Sequence, residues 1–220
     1  MRSLSLLIGK KRRETLRILC LGAHSDDIEI GCGGTVLKMI ETQRKVEFQW
    51  VVFSCTPERE GEARKSAGAF FEGAPGSFVT VEKFRDGFFP YVGGEIKEYF
   101  ERLKKTVSPD VIFTHYRSDL HQDHRLVSEL TYNTFRDHLV LEYEIPKYDG
   151  DLGTPNAYIH LGREICRQKV KYINKYFETQ KSNHWFNQDL FYSMMRIRGI
   201  ECNASDRFAE AFHCRKLIIA

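Results

Sequence analysis

The sequence predicts an α/β protein: a single domain with a mostly parallel sheet and helices on both faces. Three observations point there. Short β-rich apolar runs recur, stretches with helical apolar spacing alternate with them, and two of the runs end in dense polar clusters. At 220 residues and 42% hydrophobic composition the chain can bury one core, so residues 1–220 read as one domain, with 1–14 as a flexible leading segment.

The first run, Leu16 to Gly22, is short, β-rich and closed by glycine, which suits a buried strand. Thr35 can cap a helix from Val36 to Gln43, and Val46 to Ser54 follows as a second strand. Next come a helix over Arg59 to Phe71 and a short strand over Phe78 to Val81. A further helix carries Ile96, Tyr99, Phe100, Leu103 and Val107 on one stripe. Pro109 to His115 reads as another buried strand, followed by a polar loop, Tyr116 to His124, and a helix from about Arg125. This alternation implies a doubly wound, Rossmann-like arrangement, in which ligands bind beyond the carboxyl ends of the strands.

Glu142 to Thr154 is rich in Gly, Pro and Asp and reads as a long loop beside the substrate, where Tyr148, Asp149 and Asp151 suit hydroxyl recognition. Beyond it, Cys166, Val170, Ile173 and Phe177 fall at helical spacing, as do Leu190, Phe191, Met194 and Met195 before Gly199. These stripes read as core rather than as a cofactor box.

Composition narrows the partners. Lys and Arg total 33 against 30 Asp and Glu, and a net charge of +3 argues against a nucleic-acid surface. The six cysteines form no CxxC pair, which favours reduced thiols and a cytoplasmic protein. The opening MRSLSLLIGKKRRE has too short an apolar run for a signal peptide, and no stretch reaches the roughly twenty apolar residues of a membrane span.

The chemistry lies in two clusters. His24, Asp26 and Asp27 crowd the end of the first strand, where adjacent carboxylates repel unless a cation neutralises them. A divalent ion held by His24 and Asp27, with Asp26 beside it, resolves the conflict. The second cluster, Asp119 to Arg125, contains His121, Asp123 and His124 and follows another buried strand. Two histidines and a carboxylate, with positions left for water, suit a catalytic zinc. Plainer readings stand beside this one. Asp26 and Asp27 can serve a helix dipole, Arg59 can be a solvated helix residue, Asp123 can cap a helix, and His115 and His160 can be ordinary structural histidines.

Ala23-His24-Ser25-Asp26-Asp27-Ile28-Glu29, followed by Gly33-Gly34-Thr35, and His121-Gln122-Asp123-His124-Arg125 resemble the paired motifs of the PIG-L/LmbE-like family of zinc-dependent de-N-acetylases. Arg59-Glu60-Gly61-Glu62-Ala63, Asp86-Gly87, Pro109-Asp110-Val111 and Phe208 to Phe212 extend the similarity along nearly the whole chain. Ser25 departs from it, standing where the family carries proline.

The resemblance implies one zinc ion per chain on His24, Asp27 and His124, with iron(II) able to use the same donors. It implies Asp26 as general base, His121 facing the substrate carbonyl or leaving group, Asp123 supporting an imidazole, and Arg59 shaping the substrate pocket. The implied reaction removes an acetyl group from an amino-sugar or glycoconjugate, and self-association is expected because such proteins often form rings or dimers. Two rivals remain open: a non-enzymatic sugar- or nucleotide-binding module, and a metal-dependent hydrolase of another bond such as a phosphoester.

Overall fold

The computed structural model describes residues 15–42 and 45–218; the expected flexible segment 1–14 lies outside them. Seven strands form one sheet: β1 (Leu16–Gly22), β2 (Val46–Val52), β3 (Phe78–Val81), β4 (Val111–His115), β5 (Leu139–Tyr143), β6 (Ala157–His160) and β7 (Ala209–His213). Among the described residues six α-helices accompany them: α1 (Asp27–Thr42), α2 (Pro57–Phe70), α3 (Gly93–Thr106), α4 (Gln122–Thr134), α5 (Arg163–Tyr176) and α6 (Gln188–Glu201).

The spatial order is β3-β2-β1-β4-β5-β7-β6. Every pairing from β3 to β5 is parallel, and β7 lies antiparallel between β5 and β6. Because β1 leads outward through β2 to β3 while β4 departs on its other side, a crevice opens beyond the carboxyl ends of β1 and β4. Side chains of β1 alternate between two cores. Leu16, Ile18 and Cys20 pack with α1, α2, α5 and α6, whereas Leu19 and Leu21 pack with Ile96 and Phe100 of α3 and Val127 and Leu130 of α4.

Three expectations are corrected. Thr35 caps nothing, because α1 starts eight residues earlier at Asp27, with Asp27 and Glu29 in a first turn that favours acids. The glycines between them are contact points rather than breakers: a Cβ on Gly31 would lie 2.2 Å from the Tyr143 ring, and one on Gly33 would lie 2.6 Å from Phe70. The stretch read as a loop from Glu142 opens inside β5, and α4 begins at Gln122, so Asp123 and His124 are helical rather than loop residues.

Candidate active site

Short turns carry the chain from β1 into α1 and from β4 into α4, which brings both polar clusters to the crevice with two helix N-termini facing it. His24 Nδ1 lies 3.2 Å from His124 Nε2 and 3.4 Å from Asp27 Oδ2, and His124 Nε2 lies 3.5 Å from Asp27 Oδ1. All three side chains are buried. Metal bonds of about 2.0–2.1 Å at tetrahedral angles would set donors about 3.3 Å apart, close to the His24–His124 separation, while Asp27 presents a different oxygen to each histidine. His124 also belongs to two overlapping groups whose donors lie within 4.8 Å of one another, one with His24 and His121, the other with Asp27 and His115.

Each expected ligand is oriented from behind. Asp27 Oδ2 accepts the His24 backbone N–H at 2.6 Å and lies 3.2 Å from His115 Nε2, leaving Oδ1 toward His124. His124 turns Nδ1 to Asp119 Oδ2 at 2.9 Å, and His24 turns Nε2 to Asp86 at 3.0 Å and Asp123 at 3.3 Å. Each imidazole therefore has one nitrogen at the common point and the other on a carboxylate, the support that fixes tautomer and ring plane in metal sites.

The charges ask for a cation. Burial works against a charged His24, yet Asp27, Asp123 and Asp86 hold its imidazole well above the usual range. Burial and the neighbouring His115 pull His124 down to about 3, against the attraction of Asp27 and Asp119, so its Nε2 keeps a lone pair. Asp27 is held well below the ordinary carboxylate range, because His124, His115 and His24 outweigh its burial.

Asp26 is buried, and burial raises its carboxyl, while Arg59 pulls it back and Asp27 pushes it further up. Arg59 donates to Asp26 Oδ1 at 3.1 Å, while Asp26 Oδ2 has no hydrogen-bond partner among the described residues. With its amide oxygen facing Arg59, Gln180 accepts from the same guanidinium at 3.1 and 3.2 Å. His121 is the N-cap of α4: its Nδ1 accepts the Asp123 N–H at 3.3 Å, so the neutral ring carries its proton on Nε2. Burial and the charge of His24 lower its pKa, which favours that neutral form. Asp123 is fully buried and accepts the backbone N–H groups of Gly87 (2.7 Å) and Phe89 (3.1 Å), fastening the segment that presents Asp86.

All seven residues singled out from the sequence thus meet at one crevice. The sequence reading passed over Asp86, Asp119, Gln180 and Lys147 as site residues and treated His115 as ordinary. His115 is instead fully buried, stacked on His124 with ring centroids 3.9 Å apart, and its Nε2 accepts the Ala23 N–H at 2.9 Å. Its position as the last residue of a buried strand beside the crevice is the mark that could have found it. His160 lies away from this cluster, where its backbone oxygen accepts from Lys38 at 2.5 Å.

A family model described as PIG-L, GlcNAc-PI de-N-acetylase, matches residues 19–135. Among solved structures, the chain is similar to the conserved protein TT1542 from Thermus thermophilus, with 19% identity over 94% of this chain and 97% of that one, at a TM-score of 0.70. It is similar to N,N'-diacetylchitobiose deacetylase from Pyrococcus horikoshii, with 17% identity over 92% and 84% of the two chains and a TM-score of 0.65. GalB, the 4-carboxy-2-hydroxymuconate hydratase from Pseudomonas putida, matches at 14% identity over 94% and 98%, with a TM-score of 0.66. At such identities these likenesses establish the fold, and that fold serves both a deacetylase and a hydratase.

Proposed function

The chain belongs to the PIG-L (GlcNAc-PI de-N-acetylase) family, and from that premise we propose that it is a metal-dependent hydrolase removing the acetyl group from an N-acetylated amino-sugar or glycoconjugate. The observation that carries this reading is Asp26: one oxygen held by Arg59, the other buried and unpaired, next in sequence to a cluster fit for a cation. An uncommitted buried carboxylate costs free energy to maintain, and beside a cation site it is placed to take a proton from water.

His24, Asp27 and His124 would hold one zinc ion per chain, and iron(II) suits the same donors. When bound, the ion supplies Lewis acidity, easing deprotonation of water and polarising the amide carbonyl. Asp26 Oδ2 takes the proton of the attacking water, and its raised pKa makes it a better base than an exposed aspartate. Arg59 keeps the carboxylate aimed by holding Oδ1. Neutral His121 donates from Nε2 to the carbonyl oxygen as charge develops there. The amine leaves after receiving a proton from Asp26 or His121, and acetate and the free amino-sugar result. Asp123 and Asp119 act through the imidazoles they hold and do not touch the substrate.

No helix of the described residues is long and apolar enough to cross a membrane, and all six cysteines are free. The reduced thiols support a cytoplasmic setting. Metal analysis of the purified protein, with acetate release from a panel of N-acetylated amino-sugars, tests the reading. The parent should carry about one zinc per chain. Asp26→Ala should keep the metal and lose activity, whereas His124→Ala should lose both. A parent without metal, or with full activity lacking Asp26, would return the site to the binding-module reading. Metal-dependent release of phosphate, with no release of acetate, would favour the phosphoester alternative.

A further inference from the structure

The loop from Glu144 to Gly153 is tied at its base: Glu144 Oε1 accepts the Gly153 N–H at 2.8 Å, and Arg198 donates to both Glu144 oxygens and to the Gly153 carbonyl. Its interior is tied separately by one side chain. Lys147 Nζ lies 2.9 Å from Asp119 Oδ2 and pairs closely with Asp151, whose carboxylate also accepts the Leu120 N–H at 2.6 Å. Asp119 Oδ2 is the atom that holds His124 Nδ1, and Oδ1 of the same group accepts the His121 N–H at 2.8 Å. Beyond the fastening, the loop tip presents Tyr148, 75% exposed, and Leu152, while Leu120 stands exposed on the neighbouring segment.

We propose that Lys147 is a positioning residue that fastens the 144–153 loop to the metal centre through Asp119, so that occupancy of the centre and placement of the substrate-facing loop are coupled. The proposal rests on the metal-centre reading above. An ion on His124 fixes the ring, the ring fixes Asp119, and Asp119 gives Lys147 a stationary partner. Reciprocity follows, because whatever holds the loop down also favours the metal-ready orientation of His124. Fastened through Asp119 beside His121 and His124, the loop is placed to meet the portion of the substrate beyond the scissile amide, so the fastening acts on binding rather than on the chemical step.

The test is chymotryptic cleavage after Tyr148 in the full chain, followed by mass spectrometry, with and without zinc. In the parent, zinc should slow this cleavage about tenfold, the scale of a hydrogen bond to a charged group. Lys147→Met should abolish the zinc protection, Lys147→Arg should restore it, and Lys147→Met should raise KM for an N-acetylated amino-sugar while leaving kcat unchanged. Equal zinc protection in parent and Lys147→Met overturns the proposal, as does zinc that binds the parent without protecting it. A parent that binds no zinc defeats the metal-centre reading instead. The fastening is then read from metal-free Asp119→Ala against metal-free parent, where faster cleavage upholds it and equal cleavage overturns it.

Discussion

Arg59 sets a guanidinium nitrogen 3.1 Å from Asp26 Oδ1 and leaves Oδ2 of that carboxylate without a partner. The contact has an electrostatic consequence of definite sign. Burial raises the Asp26 carboxyl, and Arg59 is the foremost group pulling it back. Asp26 must be ionised to accept a proton, so the acidic limb of kcat/KM follows its pKa. Arg59→Met should therefore move that limb to higher pH, with Arg59→Lys in between. A pH–rate profile with an unmoved acidic limb would separate Arg59 from the base.

Asp123 is the joint between His24 and the Gly87–Phe89 segment. Asp123→Ala removes the acceptor for two backbone N–H groups and one support of the His24 ring. Loss of such outer support typically costs 10–100-fold in metal affinity, and a loss of about that size is expected here. Competition with a chromophoric zinc chelator measures it, and an affinity equal to that of the parent would rule out the supporting role.

Two glycines give opposite forecasts for the same substitution. Gly31→Ala drives a methyl into the Tyr143 ring, whose hydroxyl donates to the Leu21 carbonyl below the site. Overpacking of this kind should cost about 1–3 kcal/mol in urea unfolding. Gly61 lies in α2, where an added methyl would meet nothing within 4 Å, so Gly61→Ala should stabilise by about 0.5–1 kcal/mol.

Lys169 and Glu210 form a buried pair, 3% and 4% exposed in their side chains, bonded to Ile30, Gly34 and Thr35 of α1. Glu210→Gln leaves the lysine uncompensated and should cost about 3–5 kcal/mol. The double change Lys169→Met with Glu210→Leu removes both charges and should recover part of that loss. Equilibrium unfolding of the three proteins decides the matter, and a double variant weaker than Glu210→Gln would show that the bonds to α1 outweigh the charge penalty.

The sequence marked β1 and β3 with their observed bounds, because each is an apolar run closed by residues that stop a strand. It misplaced the start of α1, since Gly31 to Gly34 resembles a break when the rings and side chains pressed against it are unseen. It gave no strand to β5, β6 or β7, which are four or five residues long and include Glu142 and Glu210, acids that only tertiary partners make tolerable. In the site, His24, Asp27 and His124 were legible together because each follows a buried strand. Lys147 was not, for a single charged residue in a polar loop carries no pattern until its partner across the fold is known, and Asp86 entered only as part of the resemblance with no role attached.

The antiparallel β7 bears on how the protein is made. Among the seven strands it leaves the ribosome last, yet β6 pairs with β7 alone and β5 meets it on the edge away from β4. Until residues 209–213 emerge, β6 has no strand to join, β5 keeps an open edge, and Gly34 and Thr35 of α1 lack the Glu210 carboxylate that accepts their N–H groups. A nascent chain stalled before that point is therefore an aggregation hazard with one support of α1 missing. β7 thereby closes the sheet and fastens α1 in a single step.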